Sequence, residues 1–377
     1  MKTLLCVIAA IAFLALPVLA EDVKVTFDGS RLAAGYMDNG GSGNTNPGTF
    51  GVADAKLKAT ATLDADTSAV LRLNFDNGLA NGADYAYIKL ANVIKKLAKN
   101  DMVNPDIYVG LMKINFGEET WSNNPVENAL VQNSQGGVGG NDMGIEFRQP
   151  ALNVNLPVVL GYSLSFMNGS ANTVAPTGTD SNNVKAYVLK VMAQMKSQPL
   201  YFSLSQFDSG KTPATDTILL GGIPCPAGFT GPFYMKGYEL DARFDMLEGA
   251  QKFDATKAPL FADAKGVFRL AYGSFIAGDK GATTANNTTV GTLMLDAIYN
   301  VDKQWYVAFR YSYTDTDIKG VTVGDIGKTT KMSIGGGHRL SDNAILKLDY
   351  TTNTEADTVL NPKLDNDQVA LLLTVKW

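Results

Sequence analysis

Near the end of the chain, Val369, Leu371, Leu373, Val375 and Trp377 recur at every second position, while Gln368, Thr374 and Lys376 fall between them. A period of two puts successive side chains on opposite faces of a strand. The same alternation sets Trp305, Val307, Phe309, Tyr311 and Tyr313 against Arg310 and Ser312, and Leu346, Leu348 and Tyr350 against Lys347 and Asp349. Each such strand has one apolar face and one polar or charged face. The pattern predicts strands over 22–37, 50–63, 67–76, 83–92, 105–116, 142–149, 156–168 and 183–195. Eight more follow over 198–206, 232–245, 265–277, 290–299, 302–315, 328–339, 342–354 and 366–377, separated by Gly-, Asn-, Asp- and Thr-rich stretches.

The connections alternate in length. Those at 64–67, 149–156, 196–198, 300–301 and 340–341 are short, and those at 38–49, 117–141, 169–182, 207–231, 278–289 and 316–327 are long and polar. Two connections, 93–104 and 246–264, exceed what a short turn needs. A β-sandwich or β-helix would also alternate along its strands. Strict alternation of connection length defines two ends, however, and Tyr299, Trp305, Tyr313 and Tyr350 place aromatics near strand ends. Beyond residue 20 no apolar run reaches the length of a membrane helix, and the longest, 369–375, is interrupted by Thr374. The reading is all-β: an antiparallel transmembrane barrel of about sixteen strands, with short periplasmic turns and long extracellular loops.

Residues 1–20 carry one charge at Lys2, an apolar run over 4–16 and small residues Val18 and Ala20 before Glu21, which reads as a signal peptide with the barrel over 21–377. Cys6 leaves with that segment. Cys225, between Pro224 and Pro226, then reads as a small buried apolar residue, and no disulfide is expected. The net charge of −5 becomes −6 once Lys2 is removed, which argues against nucleic acid as a partner.

Five stretches carry a family likeness: Phe27-Asp28-Gly29-Ser30-Arg31-Leu32, Ser68-Ala69-Val70-Leu71-Arg72-Leu73, Gly110-Leu111-Met112-Lys113-Ile114-Asn115-Phe116-Gly117, Tyr238-Glu239-Leu240-Asp241-Ala242-Arg243-Phe244-Asp245 and the closing strand. In that order they resemble sixteen-stranded bacterial outer-membrane porins, near the phosphate-selective group, over essentially all of 21–377. The resemblance implies a homotrimer with one aqueous pore per subunit for small hydrophilic solutes or ions. It further implies outer-membrane lipid and lipopolysaccharide around the barrel, and a terminal aromatic strand read by the barrel-assembly machinery. Trp377 stands where the family more usually ends on Phe. Phosphate selectivity does not carry over, because no dense basic ladder is visible.

Chemistry of other kinds is sparse. His338 is the single histidine and follows Gly335-Gly336-Gly337 near a strand end, where rim packing suits it better than catalysis. Gly327-Lys328-Thr329 has Thr322 where a phosphate loop needs its first glycine, and a strand follows instead of a helix. Gly136-Gly137-Val138-Gly139-Gly140 is loop composition. Asp315, Asp317 and Asp325 are loop acids read as solvated rather than calcium-binding. No enzyme activity, cofactor or metal is expected.

If the apolar faces meet lipid, the opposite faces line water. Basic residues there are Lys56, Lys58, Arg72, Lys89, Lys113, Arg148, Arg243, Arg269, Arg310, Lys347 and Lys376; acidic ones are Asp54, Glu146, Glu239, Asp241, Asp296 and Asp349. A wall that is net basic favours anions through the local potential of a narrow aqueous path. The loop 117–141 occupies the position where porins fold a loop into the lumen. Within it Asn124-Pro125-Val126-Glu127 has the composition of a short helix start. Glu118, Glu119 and Glu127 are therefore expected to face Lys56, Lys58, Arg72 and Lys89 across a constriction. The alternative is a closed structural or adhesive barrel with no open lumen.

Overall fold

The computed structural model describes residues 23–40, 48–75, 83–99, 102–118, 124–131, 141–168, 185–210, 233–279, 287–318, 327–355 and 367–377. Glu119, Asp325, Cys225, the glycine run 136–140 and the N-terminal segment 1–20 lie outside the described residues.

Sixteen antiparallel strands close on themselves. They are β1 (Arg31–Gly40), β2 (Thr49–Thr62), β3 (Thr67–Asn74), β4 (Ala83–Leu90), β5 (Asp106–Lys113), β6 (Asn141–Gln149), β7 (Val158–Met167) and β8 (Ala186–Met195). Then come β9 (Leu200–Asp208), β10 (Phe233–Met246), β11 (Gly266–Asp279), β12 (Asn287–Asn300), β13 (Trp305–Ile318), β14 (Gly327–Ser341), β15 (Ala344–Glu355) and β16 (Asp367–Lys376). Each pairs with its sequence neighbours, and β16 pairs back with β1 from Lys376↔Arg31 to Asp367↔Gly40. Closure leaves no free edge, which the hydrocarbon of a membrane requires.

The alternation resolves as the period-two reading implies. Val369, Leu371 and Leu373 are exposed on the exterior, while Ala370, Leu372 and Thr374 are buried inside. Trp305, Val307 and Phe309 face out, and Tyr306, Ala308, Arg310 and Ser312 face in. An exterior this apolar over a whole barrel is a lipid surface rather than a water surface. At the rim, the His338 ring stacks on Trp305 at 4.2 Å between centroids.

The main departures from the expected strands and connections are at 22–37, 113–116 and 93–98. The predicted strand 22–37 is broken: Lys24–Thr26 pairs with residues 60–62 of β2, the chain turns over 27–30, and β1 resumes the ladder on β2. The Ser30 hydroxyl occupies the break, donating to the Phe27 carbonyl (2.9 Å) and accepting from the Lys58 amide (3.0 Å). Strand β5 ends at Lys113, not at 116, because Ile114 and Phe116 leave the wall and bury themselves inside the barrel. The connection after β4 holds a short helix, α1 (Val93–Ala98), tied to the neighbouring turn by Asn92 and Lys96 on Asp66. The hydrogen bond from Asn92, with the Lys96 ammonium beside it, keeps the Asp66 carboxyl below the usual carboxylate range.

Candidate functional site

After β5 the chain crosses the interior, and the inner wall is shaped to receive it. Met167, Val188, Phe207, Met235, Phe275 and Val290 all point inward on β7–β12, against the simple rule that the inner face of a barrel is polar. They form an apolar seat for Ile114 and Phe116. The Phe116 ring lies edge-on to Phe207 (6.5 Å between centroids) and tilted on Phe275 (5.8 Å). Gly117 follows at φ +59°, and a Cβ there would overlap the Glu239 carboxylate. The positive φ favours glycine, and a larger side chain there would have to displace the Glu239 carboxylate.

Polar anchors fix the rest of the crossing. The Gly117 amide donates to Ser205 Oγ (2.9 Å), and Lys190 Nζ donates to the Gly117 carbonyl (2.9 Å). Further on, Lys347 Nζ donates to the carbonyls of Pro125 (2.6 Å), Val126 (3.2 Å) and Asn128 (2.5 Å). Arg310 reaches Asn128 Oδ1 (2.8 Å), the Tyr306 hydroxyl donates to the Ala129 carbonyl (2.9 Å), and the Val131 amide donates to Asp349 (2.6 Å). The inserted chain therefore packs against β8–β15 and fills that side of the barrel.

The described residues leave a cavity on the other side. It has a volume of about 530 Å³ and lies between the inserted chain and β1–β6, with Lys376 at the C-terminal end of β16 also in its lining. Its charged lining is Arg31, Lys56, Lys58, Arg72, Lys113, Arg148 and Lys376 against Asp84, Glu127 and Glu146. Asp54, buried beneath Arg31 and Lys56, raises the acidic count by one and leaves the excess basic. Arg72 is held by Asp84 and lies over the Tyr85 ring at 4.0 Å, while Arg148 forks onto Glu146 through two 2.9 Å bonds. Such pairs fix the direction of the Arg72 and Arg148 guanidiniums along the wall. Tyr85, Tyr87 and Tyr108 continue the same wall, with neighbouring rings 5.6 and 5.5 Å apart.

No protein-family model matches this sequence, and no curated sequence does. Solved structures do match its shape. OmpT, an outer membrane protein of Vibrio cholerae, superposes with a TM-score of 0.59 at 10% identity, over 94% of this chain and 98% of that one. The outer membrane channel DcaP of Acinetobacter baumannii gives 0.59 at 12% identity, over 94% and 97%. An anion-selective porin from Comamonas acidovorans gives 0.55 at 14% identity, over 94% and 100%. The fold is that of sixteen-stranded outer-membrane porins. A closed barrel with a lipid-facing exterior is a membrane-spanning structure, and the bacterial outer membrane is where these neighbours reside.

The barrel sorts the residues singled out from sequence into three groups. Lys56, Lys58, Arg72, Lys113, Arg148 and Glu127 share the open cavity. Glu239, Asp241, Arg243, Arg269 and Arg310 point inward but lie buried on the filled side. There Asp296 bridges Arg269 (2.8 Å) and Arg310 (3.1 Å), and Arg243 forks onto Asp245 (2.7 Å twice). The third group needs correction. Glu118 does not face Lys56, Lys58, Arg72 or Lys89: it turns to the opposite wall, where it accepts from Lys190 (2.7 Å) and the Tyr201 hydroxyl (2.6 Å). Lys89 lies near the C-terminal end of β4, where it pairs with Asp106 (2.6 Å) outside the cavity lining.

Sequence reasoning missed Arg31, Asp84, Tyr85, Tyr87 and Tyr108. The two tyrosines at 85 and 87 are in phase with Lys89, so the alternation contained them. Asp84 is out of phase and comes inside through a bulge, since Arg72 pairs with Tyr85 and Leu73 with Ala83.

Proposed function

We propose that the barrel is a passive diffusion channel for small hydrophilic solutes, preferring anions, and carries out no catalysis. The observation behind this reading is the cavity beside the inserted chain, whose lining has seven basic side chains against three acidic ones. In a narrow path with low-dielectric walls, an excess of fixed positive charge raises the local concentration of anions and lowers that of cations. Glu127 on the inserted chain, opposed to Lys56, Lys58 and Arg72 on the wall, sets a field across the path that orients polar solutes. The anion-selective porin of similar fold from Comamonas acidovorans supports the reading by analogy.

The assembly that goes with it is a homotrimer, embedded in outer-membrane lipid and lipopolysaccharide and delivered by the barrel-assembly machinery. A trimer form is known for OmpT of Vibrio cholerae. The deciding experiment is planar-bilayer recording of the purified protein under a salt gradient. A reversal potential displaced toward the chloride equilibrium value is expected. Changing Lys56, Lys58 and Arg72 together to Gln should move it back toward the cation value. At about 1 M salt, where the Debye length is only about 3 Å, the displacement should shrink. Absence of conductance from well-folded protein would sink the channel in favour of a closed structural or adhesive barrel.

A further inference from the structure

The connection between β10 and β11, residues 247–265, does not stay below the barrel. Its 3-10 turn Pro259–Phe261 carries Leu260 into the periplasmic mouth, where the side chain is fully buried. Leu260 belongs to one apolar cluster with Ile298, Tyr306 and Ile345 of the wall and with Ala129 and Leu130 of the inserted chain. The strand ends alone cannot form this cluster, because its centre is occupied from two sides: by the chain descending from β5 and by the chain rising from β10.

Polar contacts hold both insertions on the same two wall residues, Arg339 and Tyr306. Arg339 donates to the Leu260 carbonyl (3.0 Å) and to Asn300 Oδ1 (2.8 Å). Its guanidinium also lies 5.2 Å over the Tyr306 ring, whose hydroxyl holds Ala129. Arg243 donates to the Lys257 carbonyl (2.6 Å) and faces the Phe253 ring at 5.7 Å, fixing the earlier part of the connection to β10. At the edge of the open path, the Lys376 ammonium sits 3.4 Å over the Phe261 ring while lining the cavity.

We propose that residues 247–265 form an inward brace that holds Ala129 and Leu130 of the inserted chain against β12–β15 and thereby fixes the width of the open path beside it. Without the brace, residues 124–131 would keep their hydrogen bonds to Lys347, Arg310 and Tyr306 but lose their apolar support from below. An apolar face deprived of its cover exposes backbone hydrogen bonds to water and opens locally. Phe261 acts on the path directly, by covering one side of the Lys376 charge at the periplasmic exit.

This inference rests on the channel reading for its effect on current, but not for its effect on the inserted chain, and two measurements separate them. In full-length protein folded in detergent, amide exchange in the peptide containing residues 124–131 should accelerate by at least about tenfold in Leu260→Ala, since removing a fully buried leucine leaves a cavity. Arg339→Gln, which removes the bond to the Leu260 carbonyl without opening a cavity, should accelerate the same peptide to a smaller extent. In bilayers both variants should show a larger or visibly fluctuating single-channel current. Leu97→Ala, in the other long periplasmic connection, should change neither quantity. Unchanged exchange in both variants overturns the brace, and accelerated exchange with a current identical to the parent overturns its role in setting the path. If the parent conducts nothing, the channel reading falls while the exchange measurement still decides the brace.

Discussion

The ammonium of Lys190 lies 2.7 Å from Glu118 Oε1, on the far side of the barrel from the open cavity. Lys190 is buried, and Glu118 is shielded by the inserted chain of which it is part. The pair therefore works as an anchor. Removing the cation strands a carboxylate in a poorly solvated place, which is costlier than the pair itself is favourable. Lys190→Met should destabilise the seating of residues 114–118 by about 2 to 3 kcal/mol, less than for a wholly buried pair because Glu118 keeps some access to water. Glu118→Gln preserves the Tyr201 and Lys190 contacts and should cost less. Amide exchange over 114–118 compares the two, and equal effects would show that the charge does not hold the chain.

Glu127 is the one described acid of the inserted chain that reaches the cavity, so charge removal at 118 and 127 should have different consequences. Glu127→Gln should shift the reversal potential further toward chloride at low salt. Glu118→Gln should leave the reversal potential in place so long as the chain remains seated. An identical shift from both would mean that Glu118 also faces the path.

Leu371 points to lipid near the middle of β16. Leu371→Arg should lower barrel stability by about 2 to 4 kcal/mol, because the guanidinium must reach water from the hydrocarbon midplane. Leu371→Phe keeps the surface apolar and should be tolerated. Unfolding in guanidinium, read from intrinsic fluorescence in lipid vesicles, checks the difference; equal losses would contradict the facing of this strand.

Trp377 closes the ring of strands at the broken N-terminal ladder. Its carbonyl accepts from the amides of Gly29 (2.8 Å) and Ser30 (3.1 Å), and its own amide donates to the Ser30 carbonyl (3.1 Å). Deleting Trp377 removes these bonds together with an exposed aromatic at the rim. Assembly into heat-modifiable barrel should slow while export to the periplasm continues. Normal amounts of heat-modifiable protein after deletion would remove Trp377 from any part in assembly.

Much of the architecture is local and was legible in the chain. Which face of β13, β15 or β16 meets lipid follows from a period of two, and a period needs only neighbouring residues to express itself. Strand number followed for the same reason: β6 is expected over 142–149 and found over Asn141–Gln149, and β11 expected over 265–277 spans Gly266–Asp279. The unusual length of 246–264 was visible too, though not its destination.

Closure and depth were decided only in three dimensions. The alternation marked Lys89 and Lys58 alike as inward, but their heights in the barrel put one beside Asp106 and the other beside the cavity. Glu118 found Lys190, 72 positions away, and Lys347 found carbonyls more than 200 positions away. A two-residue period says which face a side chain occupies, not which residue lies opposite across a closed ring. The inward-facing Met235, Phe275 and Val290 look like errors of pattern until Phe116 is laid on them. Sequence fixes the facing of each strand because sterics and solvation act on adjacent residues. The filling of the lumen depends on where two distant connections meet, at Leu260 and Leu130, and only the folded barrel brings them together.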